Sequence, residues 1–174
     1  EAYAKEMMEK VWSQIAEQFA EYDEKLLFEG MNEPRLIGTD VEWAGESKEN
    51  DQIVDELNQL FVDTVRNSGG NNRGRYLLVT SYADAIESID RFTMPKGTHL
   101  IVTVHAYKPY TFAMDETGTA VWEPGLTQEI KGFMDNLQRR FTSKGIPVII
   151  GEFGSIDKNN LNDREQWLTD YITL

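Results

Sequence analysis

The stretch Leu26–Pro34 (LLFEGMNEP) constrains the fold more than any other part of this sequence. It begins as a short apolar run and ends on Asn32, Glu33 and Pro34, a pattern typical of a strand buried on both faces of a parallel sheet. Proline has no amide proton and restricts the residue before it, so the strand must stop there. The sequence therefore predicts an ionisable Glu33 at the carboxyl end of a strand, where α/β proteins place their chemistry.

A second stretch of the same build, Pro147–Gly154 (PVIIGEFG), presents Glu152 in the same way. Two further strands are predicted between them, at Tyr76–Thr80 and His99–Val104. The polar or aromatic residues at the ends of these two strands are Ser81, Tyr82, His105 and Tyr107. Because the carboxyl ends of parallel strands emerge on one edge of a sheet, we expect all of these groups to converge on a single cleft.

Helical patterns alternate with the four predicted strands. They lie at about Tyr3–Tyr22, from Asn50 or Asp51 to just before Ser68, around Ala83–Ile89, at Leu126–Phe141 with a Lys144-Gly145 closure, and from Trp167 onward. Such alternation implies right-handed crossovers and a parallel sheet. No linker or change of composition divides the chain, which indicates one domain over residues 1–174.

The predicted fold class is α/β, of the (β/α)8 barrel type. A closed barrel of this type needs at least about 200 residues, whereas this chain has 174 residues and four predicted strands. We therefore expect a partial barrel of about four β/α units. A second chain, or a segment missing from this one, would have to complete it, and a fragment of a larger enzyme is the preferred explanation.

Composition excludes several classes of function. The net charge of -13 argues against nucleic acid or an anionic membrane as partner, and is compatible with a neutral polymer. No cysteine is present, so there is no disulfide framework and no thiolate site. With two histidines a histidine-rich metal site is not expected, and no metal or organic cofactor is implied. No apolar run is long enough to span a membrane, and no signal peptide opens the chain.

Two carboxylates in one cleft have a defined chemical use. One, kept protonated by burial and by its neighbour's charge, can donate a proton to a leaving oxygen, while the other attacks or stabilises a cation-like carbon. This is the machinery of glycoside hydrolysis. Two acids are a weak signal in a chain that has 30 of them, but their positions at the ends of strands strengthen it.

Three ordered motifs make the indication specific: Asn32-Glu33-Pro34, His105-x-Tyr107 and Glu152-Phe153-Gly154. Their order and strand context resemble glycoside hydrolase family 5, and the longer strings LLFEGMNEPR and HLIVTVHAYKPYTFAM resemble its endoglucanase subfamily 4. The resemblance implies a (β/α)8 barrel with catalytic acids at the ends of strands four and seven. This chain would then span strands four to seven.

The same resemblance implies roles for individual residues. Glu33 would be the general acid/base and Glu152 the nucleophile. Asn32 would hydrogen-bond the sugar 2-hydroxyl, and Tyr107 would hydrogen-bond Glu152 and help to keep it ionised. His105 would orient that network or contact the substrate, the alternatives being a core histidine or a metal ligand.

Aromatic residues in loops are candidates for stacking on sugar rings. Trp43 and Trp122 are predicted as such platforms, with loop-anchoring burial an equally weighted alternative for either. Tyr82 is a further candidate for substrate binding. Trp12 and Trp167 fall on helical stripes, which indicates core positions.

The leading hypothesis is a retaining, endo-acting hydrolase of β-1,4-glucan, either cellulose, xyloglucan or mixed-linkage glucan. The resemblance also implies a secreted enzyme of extracellular polysaccharide degradation. Two alternatives remain open: a module that binds glycan in an aromatic cleft without cleaving it, and a half-barrel that self-associates through its open edge strands.

Overall fold

The computed structural model describes residues 1–43 and 47–174. Residues 1–104 form one compact unit and residues 105–174 form a second. The single domain predicted for residues 1–174 stays a prediction. Within the described residues, no helix combines the length and the apolar character needed to cross a lipid bilayer.

The first unit alternates helices with strands. In chain order its elements are α1 (Ala2–Gln18), β1 (Phe28–Glu29), α2 (Lys48–Asn67), β2 (Leu77–Ala85) and β3 (Leu100–His105), whose last residue opens the second unit. The strands β1, β2 and β3 are neighbours in that order, and β1 pairs with β2 in parallel, Phe28 opposite Leu77. All of β3 and nearly all of β2 are buried, as expected for strands covered on both faces.

Trp12 joins α1 to β1 and α2 in the core of this unit. Its ring centroid lies 5.3 Å from that of Phe28 and 4.5 Å from that of Phe61. Its indole N–H donates a hydrogen bond to the carbonyl of Gly30 over 3.0 Å. A Cβ on Gly30 would lie 2.7 Å from Cδ1 of Phe61, so only glycine allows this approach. The core position predicted for Trp12 is confirmed.

Arg75 holds the segment that connects α1 to β1. Buried backbone carbonyl groups outside a helix or a sheet need hydrogen-bond donors elsewhere. Arg75 is only 1% exposed, and its guanidinium lies over the ring of Phe28. It donates hydrogen bonds of 2.6 to 3.0 Å to the carbonyl oxygens of Phe19, Tyr22, Asp23 and Leu26. One buried side chain therefore holds the whole connection from α1 to β1.

The second unit contains α3 (Tyr110–Ala113), α4 (Thr127–Arg140), β4 (Val148–Glu152) and α5 (Leu161–Thr173). Its core is an aromatic cluster that comprises Phe112, Trp122, Phe133, Phe153, Trp167 and Tyr171. The core position predicted for Trp167 is confirmed, with 3% of that residue exposed. Gly145 has a φ of +77°, which confirms the left-handed closure after α4 and its short 3-10 turn.

The short helix predicted around Ala83–Ile89 is wrong. β2 continues to Ala85, and turns follow it. Ala83 and Asp84 have φ values of +56° and +53°, which an α-helix cannot contain. The physical reason is tertiary: the Ala83 N–H donates to the carbonyl of Pro34, which holds this end of β2 against the turn after β1.

Three helix boundaries also differ from the prediction. The N-cap of α2 is Ser47, whose hydroxyl accepts the Asn50 N–H, so neither predicted cap residue serves. α1 ends at Gln18, four residues before the predicted end, because Arg75 takes up the carbonyls that follow. α5 begins at Leu161, well before the apolar pattern that predicted it.

Candidate active site

In the first unit, Glu33 occupies an unusual backbone conformation. It follows β1 and has a φ of +46°. Residues with a Cβ rarely adopt left-handed backbone, and such residues concentrate at functional sites. Its amide N–H donates to Oδ2 of Asp84, and the carbonyl of the following Pro34 accepts the Ala83 N–H over 2.9 Å. The end of β2 therefore holds the predicted acid/base turn from both sides.

Arg35 places a positive charge beside Glu33. Its Nη1 donates to the Glu33 carbonyl over 2.9 Å and lies 3.4 Å from the carboxylate Oε2. Its Nε donates to Glu42 over 3.0 Å, and its guanidinium lies 4.1 Å from the ring centroid of Trp43. The Gly38 N–H, and then Arg35, lower the pKa of the Glu42 carboxyl, so this ion pair persists to more acidic pH than an ordinary glutamate would allow. Arg35 is thus fixed between two carboxylates and an indole.

In the second unit, Glu152 lies at the end of β4 with two side chains beside one of its oxygens. The Tyr107 hydroxyl donates to Oε2 over 2.7 Å, and Nδ1 of His105 lies 3.5 Å from the same oxygen. His105 is 6% exposed at its side chain, whereas the Glu152 side chain is 40% exposed. Neither contact involves Oε1. The carboxylate is therefore held at one oxygen while the group as a whole remains open to solvent.

The segment that carries Tyr107 is tied to α5 on both sides. The Tyr171 hydroxyl donates to the Ala106 carbonyl over 2.7 Å, and the Trp167 indole N–H donates to the Lys108 carbonyl over 2.9 Å. Burial raises the pKa of Tyr171, so its hydroxyl stays protonated as a donor. The Ala106 N–H in turn donates to the backbone carbonyl of Glu152 over 2.9 Å. These bonds fix Tyr107 relative to β4.

Of the other predicted binding residues, two are exposed to solvent and two are buried. Asn32 is exposed, and Trp43 is 61% exposed with Arg35 on its ring. Trp122 and Tyr82 are only 8% and 2% exposed. Asp163 accepts the Trp122 amide over 2.8 Å and Asp170 accepts its indole N–H over 2.7 Å, which favours the loop-anchoring alternative for this tryptophan.

Tyr82 is also bound to a loop. Its hydroxyl accepts the Leu36 N–H over 3.0 Å and donates to the Val41 carbonyl over 3.3 Å. With its ring buried and its hydroxyl bonded to backbone, Tyr82 has the surroundings of a residue that anchors the loop after Glu33.

Sequence reasoning missed Arg35, Asp84 and Tyr171. Arg35 carried a signal, because a cation two residues after a candidate acid lies within reach of it. Asp84 fell inside the helix that was predicted in place of the end of β2. Tyr171 carried only an apolar helical signal, which did not reveal its hydroxyl contact with Ala106.

Comparison with known proteins gives a consistent result. A family model described as cellulase (glycosyl hydrolase family 5) matches residues 1–173. Endoglucanase 1 of Ruminococcus albus is 47% identical to this chain over 170 residues, which are 96% of the chain. The chain spans less than half the length of the curated relatives it matches, 36% of one and 41% of another.

Solved structures agree with the family model. The chain is similar to a xyloglucan-specific endo-β-1,4-glucanase of family 5 from a metagenomic library, in complex with cellotriose, with 35% identity and a TM-score of 0.92. That superposition covers 99% of this chain and 52% of the enzyme. A subfamily 4 broad-specificity endoglucanase from Ruminococcus champanellensis, with bound cellotriose, gives 42% identity and a TM-score of 0.89 over 95% of this chain and 49% of that one. The predicted fold class, part of a (β/α)8 barrel with about four β/α units, is confirmed.

Proposed function

This chain belongs to glycosyl hydrolase family 5, and on that premise we propose that it supplies the two catalytic carboxylates of an endo-acting hydrolase of β-1,4-glucans. The observation that carries the proposal is the hydrogen bond from Tyr107 to Oε2 of Glu152, with His105 beside the same oxygen. A carboxylate that is held in place at one oxygen and exposed to solvent suits a nucleophile.

The proposed reaction is a double displacement with retention. A carboxylate oxygen of Glu152 attacks the anomeric carbon while Glu33 protonates the departing glycosidic oxygen, and the new bond joins the sugar to Glu152. Glu33, now ionised, then takes a proton from water as the water oxygen attacks the same carbon. The bond to Glu152 breaks, and both carboxyl groups return to their initial protonation states.

Three residues are proposed to support this reaction from the first unit. Asn32, exposed next to Glu33, donates to the sugar 2-hydroxyl. Trp43 offers its exposed indole to a sugar ring, and the Arg35 guanidinium, 4.1 Å from the centroid of that indole, helps to hold it in place. Arg35 also stabilises negative charge on Glu33 after proton donation, because its Nη1 lies 3.4 Å from that carboxylate.

The proposed substrates are soluble or amorphous β-1,4-linked glucans, including xyloglucan and mixed-linkage glucan. The support is that similar proteins are described as endoglucanases and as a xyloglucan-specific endo-β-1,4-glucanase, two of them with cellotriose bound. A polymer of this size is degraded outside the cell, so we place the enzyme there.

The test is reducing-sugar release from carboxymethyl cellulose, xyloglucan and barley β-glucan, by this chain and by its Glu152→Gln and Glu33→Gln variants. We expect release by the parent chain and a loss of at least about a thousandfold in Glu152→Gln, because no other group replaces a missing nucleophile. Glu165→Gln, a change at an exposed residue of α5, is the matched control and should keep full activity. Equal release by the parent and Glu152→Gln, or glycan binding with no product from any form, would contradict the proposal.

A further inference from the structure

Three hydrogen bonds join the end of β2 to the turn that carries Glu33. The Glu33 N–H donates to Oδ2 of Asp84, the Ala83 N–H donates to the Pro34 carbonyl, and the Tyr82 hydroxyl accepts the Leu36 N–H. Two of these bonds involve Pro34 and Leu36, which follow Glu33. The third, from the Glu33 amide to the Asp84 side chain, acts on Glu33 itself.

Both partners in this contact have left-handed backbone, with φ values of +46° at Glu33 and +53° at Asp84. Left-handed backbone is unfavourable for residues with a Cβ and persists only where surrounding contacts determine it. Asp84 is 0% exposed, and a carboxylate that accepts a backbone N–H forms a charge-assisted hydrogen bond. The buried Asp84 side chain thus lies against the amide whose orientation sets the direction of the Glu33 side chain.

We propose that Asp84 is a positioning residue for Glu33, a role that rests on the proposed function. Its carboxylate holds the Glu33 amide and so fixes the backbone from which the acid/base side chain extends. Asp84 takes no proton from the substrate and contacts no sugar. Its effect on rate arises only through proton donation and abstraction by Glu33.

The role makes a prediction that a merely structural residue would not share. Glycosides with a good leaving group, such as 2,4-dinitrophenyl cellobioside, need little acid assistance for bond cleavage, whereas 4-methylumbelliferyl cellobioside and cello-oligosaccharides need much more. Loss of positioning should therefore lower kcat/KM for the poor leaving groups selectively. General destabilisation would lower kcat/KM for both substrates alike, since it reduces the amount of active protein.

The experiment compares Asp84→Ala, Asp84→Asn and Asn58→Ala. Asn58 is the matched control, because it is also 0% exposed and holds β2 through two hydrogen bonds to the backbone of Thr80 rather than to Glu33. For Asp84→Ala we expect kcat/KM to fall at least about tenfold on the poor leaving group and less than about threefold on the dinitrophenyl glycoside. Asp84→Asn keeps an acceptor oxygen and should restore most of the rate. Equal losses on both substrates would overturn the proposal.

Two further measurements separate this proposal from the proposed function. Glu33→Gln should show the same leaving-group selectivity, and if it does not, the acid/base assignment has failed rather than the role of Asp84. The Glu33 amide can also be followed by ¹H–¹⁵N NMR without turnover. In Asp84→Ala, but not in Asn58→Ala, its proton should move upfield and exchange at least about tenfold faster with solvent. An unchanged Glu33 amide in Asp84→Ala would refute positioning even if the chain cleaves no glycan.

Discussion

The hydroxyl of Tyr107 donates to Oε2 of Glu152 over 2.7 Å, although the two residues are 45 positions apart in the chain. The position of Tyr107 is itself fixed, because Tyr171 and Trp167 of α5 donate hydrogen bonds to the carbonyls of the residues before and after it. The predicted nucleophile is therefore oriented by a hydroxyl that is itself anchored to a helix.

The first prediction concerns this hydroxyl. Tyr107→Phe keeps the ring but removes the donor to Glu152, so kcat on β-glucan should fall about tenfold or more, since hydrogen bonds to charged groups are worth about 1.5–3 kcal/mol. Reducing-sugar kinetics would measure the loss, and the melting temperature should change little. Tyr110→Phe, at a residue that is 58% exposed, is the control and should behave as the parent chain. A full rate in Tyr107→Phe would mean that Glu152 is oriented by other contacts.

The second prediction concerns Tyr171 and pH. At neutral pH, Tyr171→Phe should lower the free energy of unfolding by about 1–2 kcal/mol, because the buried Ala106 carbonyl loses its donor. Burial raises the pKa of Tyr171 above its ordinary value of 10.0, so the neutral form stabilises the fold fully below that value, and this contribution is lost as pH rises toward the raised pKa.

The difference in unfolding free energy between parent and Tyr171→Phe should therefore shrink as pH rises above 10.0 toward the raised pKa. Urea unfolding at several pH values measures it. Tyr3→Phe, at an exposed tyrosine, should show a constant difference near zero. A gap of constant size in Tyr171→Phe would show that the hydroxyl does not titrate with folding.

The third prediction concerns the buried guanidinium. Arg75→Lys should cost about 2–4 kcal/mol of unfolding free energy, because an ammonium cannot reproduce the planar set of donors and leaves buried carbonyls without partners. Arg73→Lys, at an exposed arginine two residues earlier, is the control and should be within about 0.5 kcal/mol of the parent. Similar denaturant midpoints for the two variants would contradict the role assigned to Arg75.

The fourth prediction is a stabilising substitution on α2. Burial raises the pKa of Asp55, against the opposing effect of the Thr93 N–H that it accepts over 3.1 Å. A raised carboxyl pKa means that stability is fully present below the unfolded-state value and is lost as pH rises through the folded-state value.

Asp55→Asn removes the charge and keeps an acceptor oxygen for Thr93. It should stabilise the chain by about 0.5 kcal/mol near pH 7, a figure reduced for solvent screening, and by nothing near pH 3. Thermal melts at both pH values measure this. Asp63→Asn, at an exposed residue of the same helix, should give no gain at either pH. A gain from Asp55→Asn that persists at the lower pH would point to a cause other than ionisation.

The positions of the four strands and the core tryptophans could be predicted because local patterns determine them. The strand ends were less accurate: β1 ends at Glu29, four residues before Glu33, and β2 runs five residues beyond its predicted end at Thr80, whereas β4 ends at Glu152 as predicted. Trp12 and Trp167 recur on helical stripes, which predicts burial without knowledge of the partner. In each case the information lies within a few residues of the feature.

The surroundings of Trp122 and Asp84 could not be predicted, because distant segments determine them. Trp122 donates hydrogen bonds to Asp163 and Asp170, which lie 41 and 48 residues further along the chain. Asp84 turns toward Glu33 from 51 residues away, and its left-handed backbone contradicts the helical propensity of its neighbours. Local sequence patterns carry no information about contacts between residues so far apart in the chain.

The buried Arg75 has a consequence for the order in which the first unit is made. The carbonyls that it binds lie 49 to 56 residues earlier, so during synthesis the connection from α1 to β1 leaves the ribosome long before its partner exists. That connection stays hydrated until β2 begins to emerge, and closing so long a loop carries an entropy cost that only the assembled unit offsets. Nascent chains that stop short of Arg75 should therefore lack the native connection, and protection of its backbone should appear in one step once that residue has been added.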